Sequence, residues 1–317
     1  MSSPAGPDKR PPTRERFPSN RRSPSILPRG PKPPWLKIRI QTGDAYKAVR
    51  RTVETLSLHT VCQEARCPNI FECWGEQTAT FMILGDVCTR RCGFCAVMTG
   101  TPRPVDPEEP RHLAEAVDRM ELAHAVITSV DRDDLPDGGA AHFAAVIRAV
   151  KARRPGCAVE VLTPDFRGAP DALAILLEAR PDVFAHNIET VPRLYRTVRP
   201  GSSYEHSLGL LAAARREGSP LTKSGLMLGL GERRDEVFDV LCDLREAGVG
   251  IVTIGQYLQP SAGHLPVFRY VPPDEFDGIR REALPLGFRH VEAGPLVRSS
   301  YHASRHLREA GGGNPAE

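Results

Sequence analysis

Ala79-Thr-Phe-Met-Ile-Leu-Gly-Asp-Val-Cys-Thr-Arg-Arg-Cys-Gly-Phe-Cys95 opens as a β-strand and ends in three cysteines. Ala79–Leu84 is apolar and strand-forming, Gly85 breaks it, and the loop Gly85–Cys95 carries the spacing CxxxCxxC. Downstream, the same alternation repeats. Helical His112–Met120 precedes strand-like Ala125–Val130, and helix Ala140–Arg153 leads to strand Ala158–Leu162. Helix Asp171–Arg180 then leads to strand Val183–Ile188, and helix Tyr204–Glu217 to the run Leu221–Leu228. Helix Arg234–Ala247 precedes strand Gly250–Leu258, and Pro273–Leu284 is helical before the extended piece His290–Val297. Six β-then-α units predict an α/β chain whose parallel sheet curls into a partial (β/α)6 barrel, a doubly wound open sheet being the alternative. In either architecture function gathers at the C-terminal ends of the strands. Cys88–Cys95, Asp131–Gly139, Asn187–Glu189 and Gln259–Pro260 all fall there.

Upstream of that strand lies a second triplet, Cys62, Cys67 and Cys73, spaced CxxxxCxxxxxC after a helix predicted over Tyr46–Leu58. Six of the eight cysteines thus fall within 34 consecutive residues. In a reducing compartment such clustering means metal rather than disulfides. Cys157 and Cys242 stand apart in apolar surroundings and are expected to be buried core thiols.

Three thiolates on one short loop hold three irons of a [4Fe–4S] cubane, and with no fourth cysteine nearby one iron stays open. An open iron can chelate the amino and carboxylate groups of S-adenosylmethionine, beside a reductant able to cleave the sulfonium and leave a 5′-deoxyadenosyl radical. Gly93 would permit the tight loop and Phe94 would shield the cluster. The competing reading is zinc, which usually wants four ligands and CxxC pairs. For the first triplet the alternatives are a structural metal knuckle or one half of a two-cluster electron carrier, although such carriers need no six-unit body.

Composition narrows the rest. Residues 1–39 carry ten basic and two acidic residues, +8, leaving −5 for the remainder of a chain whose net charge is +3. The basic end could serve as a nucleic-acid arm or a transit peptide, but its prolines (Pro4, Pro7, Pro11, Pro12, Pro18, Pro24, Pro28) oppose a helix, so residues 1–34 are expected to be a disordered tail. The acidic body offers no basic stripe for nucleic acid. No apolar run is long enough to span a bilayer and no secretory segment is visible, so a cytoplasmic protein without a membrane partner is expected. The predicted division is 1–34 tail, 35–78 extension carrying the first triplet, 79–302 barrel, and 303–317 C-terminal tail. Trp35 and Leu36 serve as apolar anchors of the extension.

The CxxxCxxC loop after the first strand of a β/α series resembles the radical S-adenosylmethionine superfamily. With CxxxxCxxxxxC ahead of it and Arg298-Ser-Ser-Tyr-His302 near the end, the chain is similar to the lipoyl synthase family from about Trp35 to about His302. Asp133–Gly139, His186–Thr190, Lys223–Glu232 and Tyr257–Pro260 also look typical of that family. The resemblance implies two [4Fe–4S] clusters: one on Cys88, Cys92 and Cys95, and an auxiliary one on Cys62, Cys67, Cys73 and a serine, Ser300 or Ser299, with Ser300 preferred. It implies insertion of sulfur at C6 and C8 of an octanoyl chain amide-linked to a carrier lysine, the auxiliary cluster being sacrificed and two S-adenosylmethionine molecules consumed. The implied carriers are the glycine-cleavage H protein and lipoyl domains of 2-oxoacid dehydrogenases. A ferredoxin- or flavodoxin-type electron donor and an iron–sulfur carrier for repair are implied as partners. For the cosubstrate, Gly138 and Gly139 would admit close backbone approach, Asn187 and Glu189 would bind ribose or carboxylate, and Arg199 and Lys223 would pair with anionic groups. Arg132, Asp133 and Asp134 would meet the carrier or the substrate amide. Biotin synthase shares only the CxxxCxxC half, and the RNA-binding domain of transfer-RNA methylthiotransferases has no counterpart here.

Overall fold

The computed structural model describes residues 32–38, 40–76 and 78–311, so most of the expected basic tail lies outside the described residues. Seven parallel strands carry the fold: β1 (Thr80–Ile83), β2 (His124–Ser129), β3 (Ala158–Leu162), β4 (Val183–Ala185), β5 (Thr222–Leu228), β6 (Ile251–Gln256) and β7 (His290–Gly294). They lie side by side in chain order, with the two-residue strand His59–Thr60 pairing antiparallel on β1. A doubly wound sheet would reverse its strand order partway, and none of these strands does so. One cavity is lined both by Thr80 and Met82 of β1 and by Val297–Ser300 after β7, so the sheet curls until its two edges face one another. This is the expected partial barrel.

Burial on both faces explains why β1, β4 and β6 read as largely apolar runs; every residue of all three is buried. The helices cover the outside. In α5 (Ala140–Arg153) the residues Phe143, Val146, Ile147 and Val150 fall at helical spacing and are fully buried. The same logic corrects one cysteine. In α8 (Arg234–Glu246) the buried stripe is Val237, Val240, Leu241 and Leu244, and Cys242 falls off it and is exposed, whereas Cys157 is buried as expected. Numbered in chain order, with the single turn Tyr195–Val198 left unnumbered, the other helices are α1 (Asp44–Thr55), α2 (Val61–Glu64), α3 (Ile70–Gly75), α4 (Glu109–Arg119), α6 (Ala172–Glu178), α7 (Tyr204–Arg216), α9 (Pro273–Ala283) and α10 (Ala303–Glu309).

Three further expectations change. β4 stops at Ala185, because a Ser224 hydroxyl receives the Ile188 N–H and Glu189 turns into the left-handed region at φ 68°. Of the two proposed anchors, Leu36 is buried but Trp35 is exposed. What reads as a tail from residue 303 begins with α10, whose Ala303 and His306 are buried. Leu307 and Ala310 join Val183, Leu221 and Ile251 in a small apolar cluster, which seats this helix near the N-terminal ends of β4, β5 and β6.

Candidate active site: cysteines of both triplets on one cavity

The second triplet is held by backbone contacts from three directions. The Thr89 N–H donates to Asp131 O (3.0 Å), the Gly93 N–H to Val198 O (2.9 Å), and the Leu265 N–H to Gly93 O (3.0 Å). Gly93 is needed for this close approach rather than for a turn: a Cβ there would sit 2.9 Å from Leu265 and 3.2 Å from the Thr197 carbonyl. His264 Nε2 lies 2.8 Å from Cys95 O. The Cys88 sulfur receives the N–H groups of Arg90 (3.4 Å) and Asp131 (3.3 Å), and its thiol meets the Asp131 carboxylate at 3.4 Å. Phe94 lines the cavity beside these cysteines.

Arg90, inside the loop itself, braces it. Its guanidinium donates to both carboxylate oxygens of Asp133 (2.7 and 2.8 Å) and to Asp165 (2.8 Å), with Asp131 at 3.6 Å. Burial opposes the Arg90 charge, but these carboxylates overcome it and raise its pKa further. Asp165 is held below the usual carboxylate range by the same bonds, which outweigh its burial. Asp133 is therefore occupied within the site. Arg132 is also occupied: it is buried and donates to Asp134 and to Leu84 O.

The first triplet forms on α2, α3 and the turn between them. Thr60 caps α2, its hydroxyl receiving the Gln63 N–H. Burial raises the Cys62 thiol to about 11 and the Cys73 thiol to about 12, with neighbouring cysteines adding to both. Cys67 is raised for the same reason, and the Arg298 guanidinium beside it works the other way. Thr80 ties this triplet to the C-terminal segment. Its N–H reaches the Cys62 sulfur, and its hydroxyl donates to Ser300 Oγ at 2.8 Å. Two more bonds cross the same seam, Asn69 Nδ2 to Leu296 O (2.8 Å) and Tyr301 OH to Glu72 (2.8 Å).

Cys62 and Cys67 of the first triplet and all three cysteines of the second line one cavity of about 730 Å³ together with Ser299 and Ser300; Cys73 is not among its lining residues. Burial pushes Cys88, Cys92 and Cys95 up to about 12 each. At neutral pH all six are therefore protonated, and a metal bound there would have to expel those protons. Such thiols are poor nucleophiles.

Asn187, Glu189 and Arg199 line the same cavity. Arg199 donates to Asn187 O (3.0 Å) and to the Tyr195 hydroxyl (3.1 Å), and Asn187 Nδ2 donates to Glu189 (3.1 Å). Burial raises Glu189 against the opposing pull of Arg199. Asn187 Oδ1 and Asp131 Oδ1 are buried here without a hydrogen-bond partner. A Cβ on Gly225 would stand 2.9 Å from Asn187 Oδ1, so the groove depends on that glycine. Unsatisfied acceptors on a concave wall are what a ligand with hydroxyl and ammonium donors would complete.

Three sequence-predicted contacts do not reach this cavity. Gly138 and Gly139 adopt positive φ (60° and 93°) at the start of α5 and pack against Phe166 and Leu84, so their glycine is required by packing. Lys223 is fully buried, with its Nζ 2.8 Å from Glu160, which in turn lies 3.3 Å from His124. Despite burial, Lys223 and His124 hold Glu160 down to about 2. Its folded pKa lies below its ordinary value, so the pair stabilises the fold above about pH 4.5 and that stability fades as pH falls toward 2. Lys223→Met is therefore expected to cost about 3–5 kcal/mol of stability, read by urea unfolding at pH 7, with an unchanged affinity for S-adenosylmethionine. A weakened affinity at unchanged stability would restore Lys223 to the cosubstrate site. Arg90, Asp131 and Thr80 lie outside the cysteine spacing, and the available clue was the arginine pair Arg90-Arg91 within a loop that must be buried.

Comparison with known proteins follows the same division. Residues 82–255 match the Radical SAM superfamily model, and residues 10–67 match the model for the N-terminal domain of lipoyl synthase. A lipoyl synthase of Rubrobacter xylanophilus is 59% identical over 280 residues, covering 88% of this chain and 87% of the relative. One of Thermus thermophilus is 57% identical over 282 residues, covering 88% and 87%. Among solved structures, Streptococcus suis SuiB bound to its precursor peptide SuiA aligns at TM-score 0.52 and 12% identity, covering 67% of this chain and 48% of that one. HydG, a maturase of the [FeFe]-hydrogenase, aligns at TM-score 0.50 and 15% identity, covering 87% and 69%. At such identities these two likenesses concern the fold alone.

Proposed function

The chain belongs to the lipoyl synthase family of radical S-adenosylmethionine enzymes, and from that premise we propose that its two cysteine triplets hold two separate [4Fe–4S] clusters. It is a sulfurtransferase that converts protein-bound octanoyl groups to lipoyl groups. Cys88, Cys92 and Cys95 grip the cluster that binds S-adenosylmethionine, and Cys62, Cys67, Cys73 and Ser300 grip the auxiliary one. The observation that carries this reading is the single cavity lined by Cys62, Cys67, Cys88, Cys92, Cys95 and Ser300. When bound, the first cluster and its cosubstrate supply a carbon radical able to abstract hydrogen, and the second supplies sulfur.

The residues of the chain do the rest. Arg90 and its carboxylates fix the CxxxCxxC loop, so three thiolates point into the cavity without rearrangement. Asn187, Glu189, Arg199 and Asp131 hold the polar parts of the cosubstrate, the two orphaned oxygens receiving its donors. The apolar lining of Val61, Ile70, Met82, Leu226 and Met227 suits an extended aliphatic chain and excludes water from a reactive centre. An octanoyl arm fits this wall. The carrier is an octanoylated domain of the glycine-cleavage H protein or of a 2-oxoacid dehydrogenase, with a ferredoxin or flavodoxin as reductant and an iron–sulfur carrier for repair. Among the described residues no helix is long and apolar enough to cross a membrane, and a cytoplasmic site of action is part of the proposal.

The test is anaerobic. Reconstituted protein, reductant, S-adenosylmethionine and an octanoyl-lysine peptide are mixed and the peptide is weighed by mass spectrometry. Gain of two sulfur atoms is the expected result. Cosubstrate cleavage with an unchanged peptide would overturn the proposed substrate, and a colourless protein after reconstitution would overturn the cluster assignment.

A further inference from the structure

Away from the cavity, His290 and Glu292 of β7 stand two residues apart, and so share one face of the strand. His306 of α10 meets them there. One ligand atom from each of the three lies within 4.8 Å of the others. Glu292 Oε2 is 3.3 Å from His290 Nε2 and 3.4 Å from His306 Nε2. Those spacings are long for charge-assisted hydrogen bonds, yet they match the edge of a tetrahedron of zinc ligands, about 3.3 Å for zinc–nitrogen bonds of about 2.0–2.1 Å.

Two further observations point the same way. His306 has no solvent exposure; its Nδ1 has no hydrogen-bond partner, and its Nε2 has only the long 3.4 Å approach of Glu292. A buried imidazole left in that state is costly unless something completes it. His290 turns its Nδ1 to Glu309, 2.9 Å away, which leaves Nε2 aimed at Glu292 and His306. A carboxylate behind one ring nitrogen is how proteins commonly orient a metal-binding histidine. One contact opposes an ion: Arg305 Nη2 is paired with Glu292 Oε2 and must yield that oxygen. Arg305 is 42% exposed, so it can swing into solvent.

We propose that His290, Glu292 and His306 form a binding site for a divalent transition-metal ion of the zinc type, separate from the iron–sulfur sites. Two ligands precede the segment that carries Ser299 and Ser300, and one follows it. The ion would therefore close a loop over residues 292–306 and anchor both ends of that segment.

The probe is zinc itself, added at one equivalent to the fully reconstituted, chelator-washed protein under anaerobic conditions. Zinc content after dialysis and the zinc K-edge absorption spectrum are then measured. The expected result is one retained zinc per chain with a nitrogen and oxygen shell containing imidazole and no sulfur. Glu309→Gln, at a half-exposed position, should weaken retention about 10–100-fold, and His290→Asn or Glu292→Gln should abolish it. Should His290→Asn fail to fold, Glu309→Gln still decides. No retained zinc in the unsubstituted chain, a zinc–sulfur shell, or retention in Glu309→Gln and Glu292→Gln equal to that of the unsubstituted chain would each overturn the site and leave a charge cluster that needs no ion.

Discussion

A chain carrying Cys88→Ala is expected to form no 5′-deoxyadenosine from S-adenosylmethionine, while keeping about half of the wild-type iron. The Cys88 sulfur is where the loop meets the second strand, receiving the Arg90 and Asp131 N–H groups. Losing it removes one of three thiolates and the point that fastens the loop to Asp131. The first triplet is carried by separate helices, so its cluster should survive. Chromatographic assay of the nucleoside and an iron count give the two readings. Continued cleavage would mean that Cys88 is not a ligand. Loss of nearly all the iron would mean that the two clusters are not independent.

Ser300→Ala is expected to leave nucleoside formation intact and to lower the yield of sulfur-containing peptide by at least about a hundredfold. Ser299→Ala should stay within about threefold of wild type. The distinction follows from Thr80, whose N–H reaches Cys62 and whose hydroxyl donates to Ser300. Among the described residues Ser299 has no such bond to that strand. A hydroxyl oxygen also suits a cluster that is to be dismantled, because hard oxygen matches iron–sulfide chemistry less well than thiolate does. If the Ser299 variant were the one that stopped thiolation, the ligand assignment would pass to Ser299.

The β/α alternation was legible because both faces of each strand are covered, so apolar runs and helical stripes separate cleanly. Helix Ala140–Arg153 and strand Ala158–Leu162 fall where the residue pattern puts them. β4 read too long because Ile188 is apolar again beyond the polar pair His186-Asn187, whereas the hydroxyl of Ser224, from another strand, takes the Ile188 N–H and breaks the ladder. Among the site residues, cysteine spacing located both triplets because thiolate chemistry needs little context. Lys223 was misplaced because its partner Glu160 is 63 positions away, and a lone cation in an apolar strand gives no hint of a buried mate. α10 went unseen because its inward residues include His306, which breaks the apolar stripe that would announce a helix.

Because β1 and β7 are not neighbours in the sheet, Thr80, Asn69 and Tyr301 fasten a slit between the first strand and the C-terminal segment. On the proposed ligand set, a cluster held by Cys62 on one margin and Ser300 on the other would add a further fastening to that slit. Its loss would leave the hydrogen bonds of Thr80, Asn69 and Tyr301 to hold the two margins together.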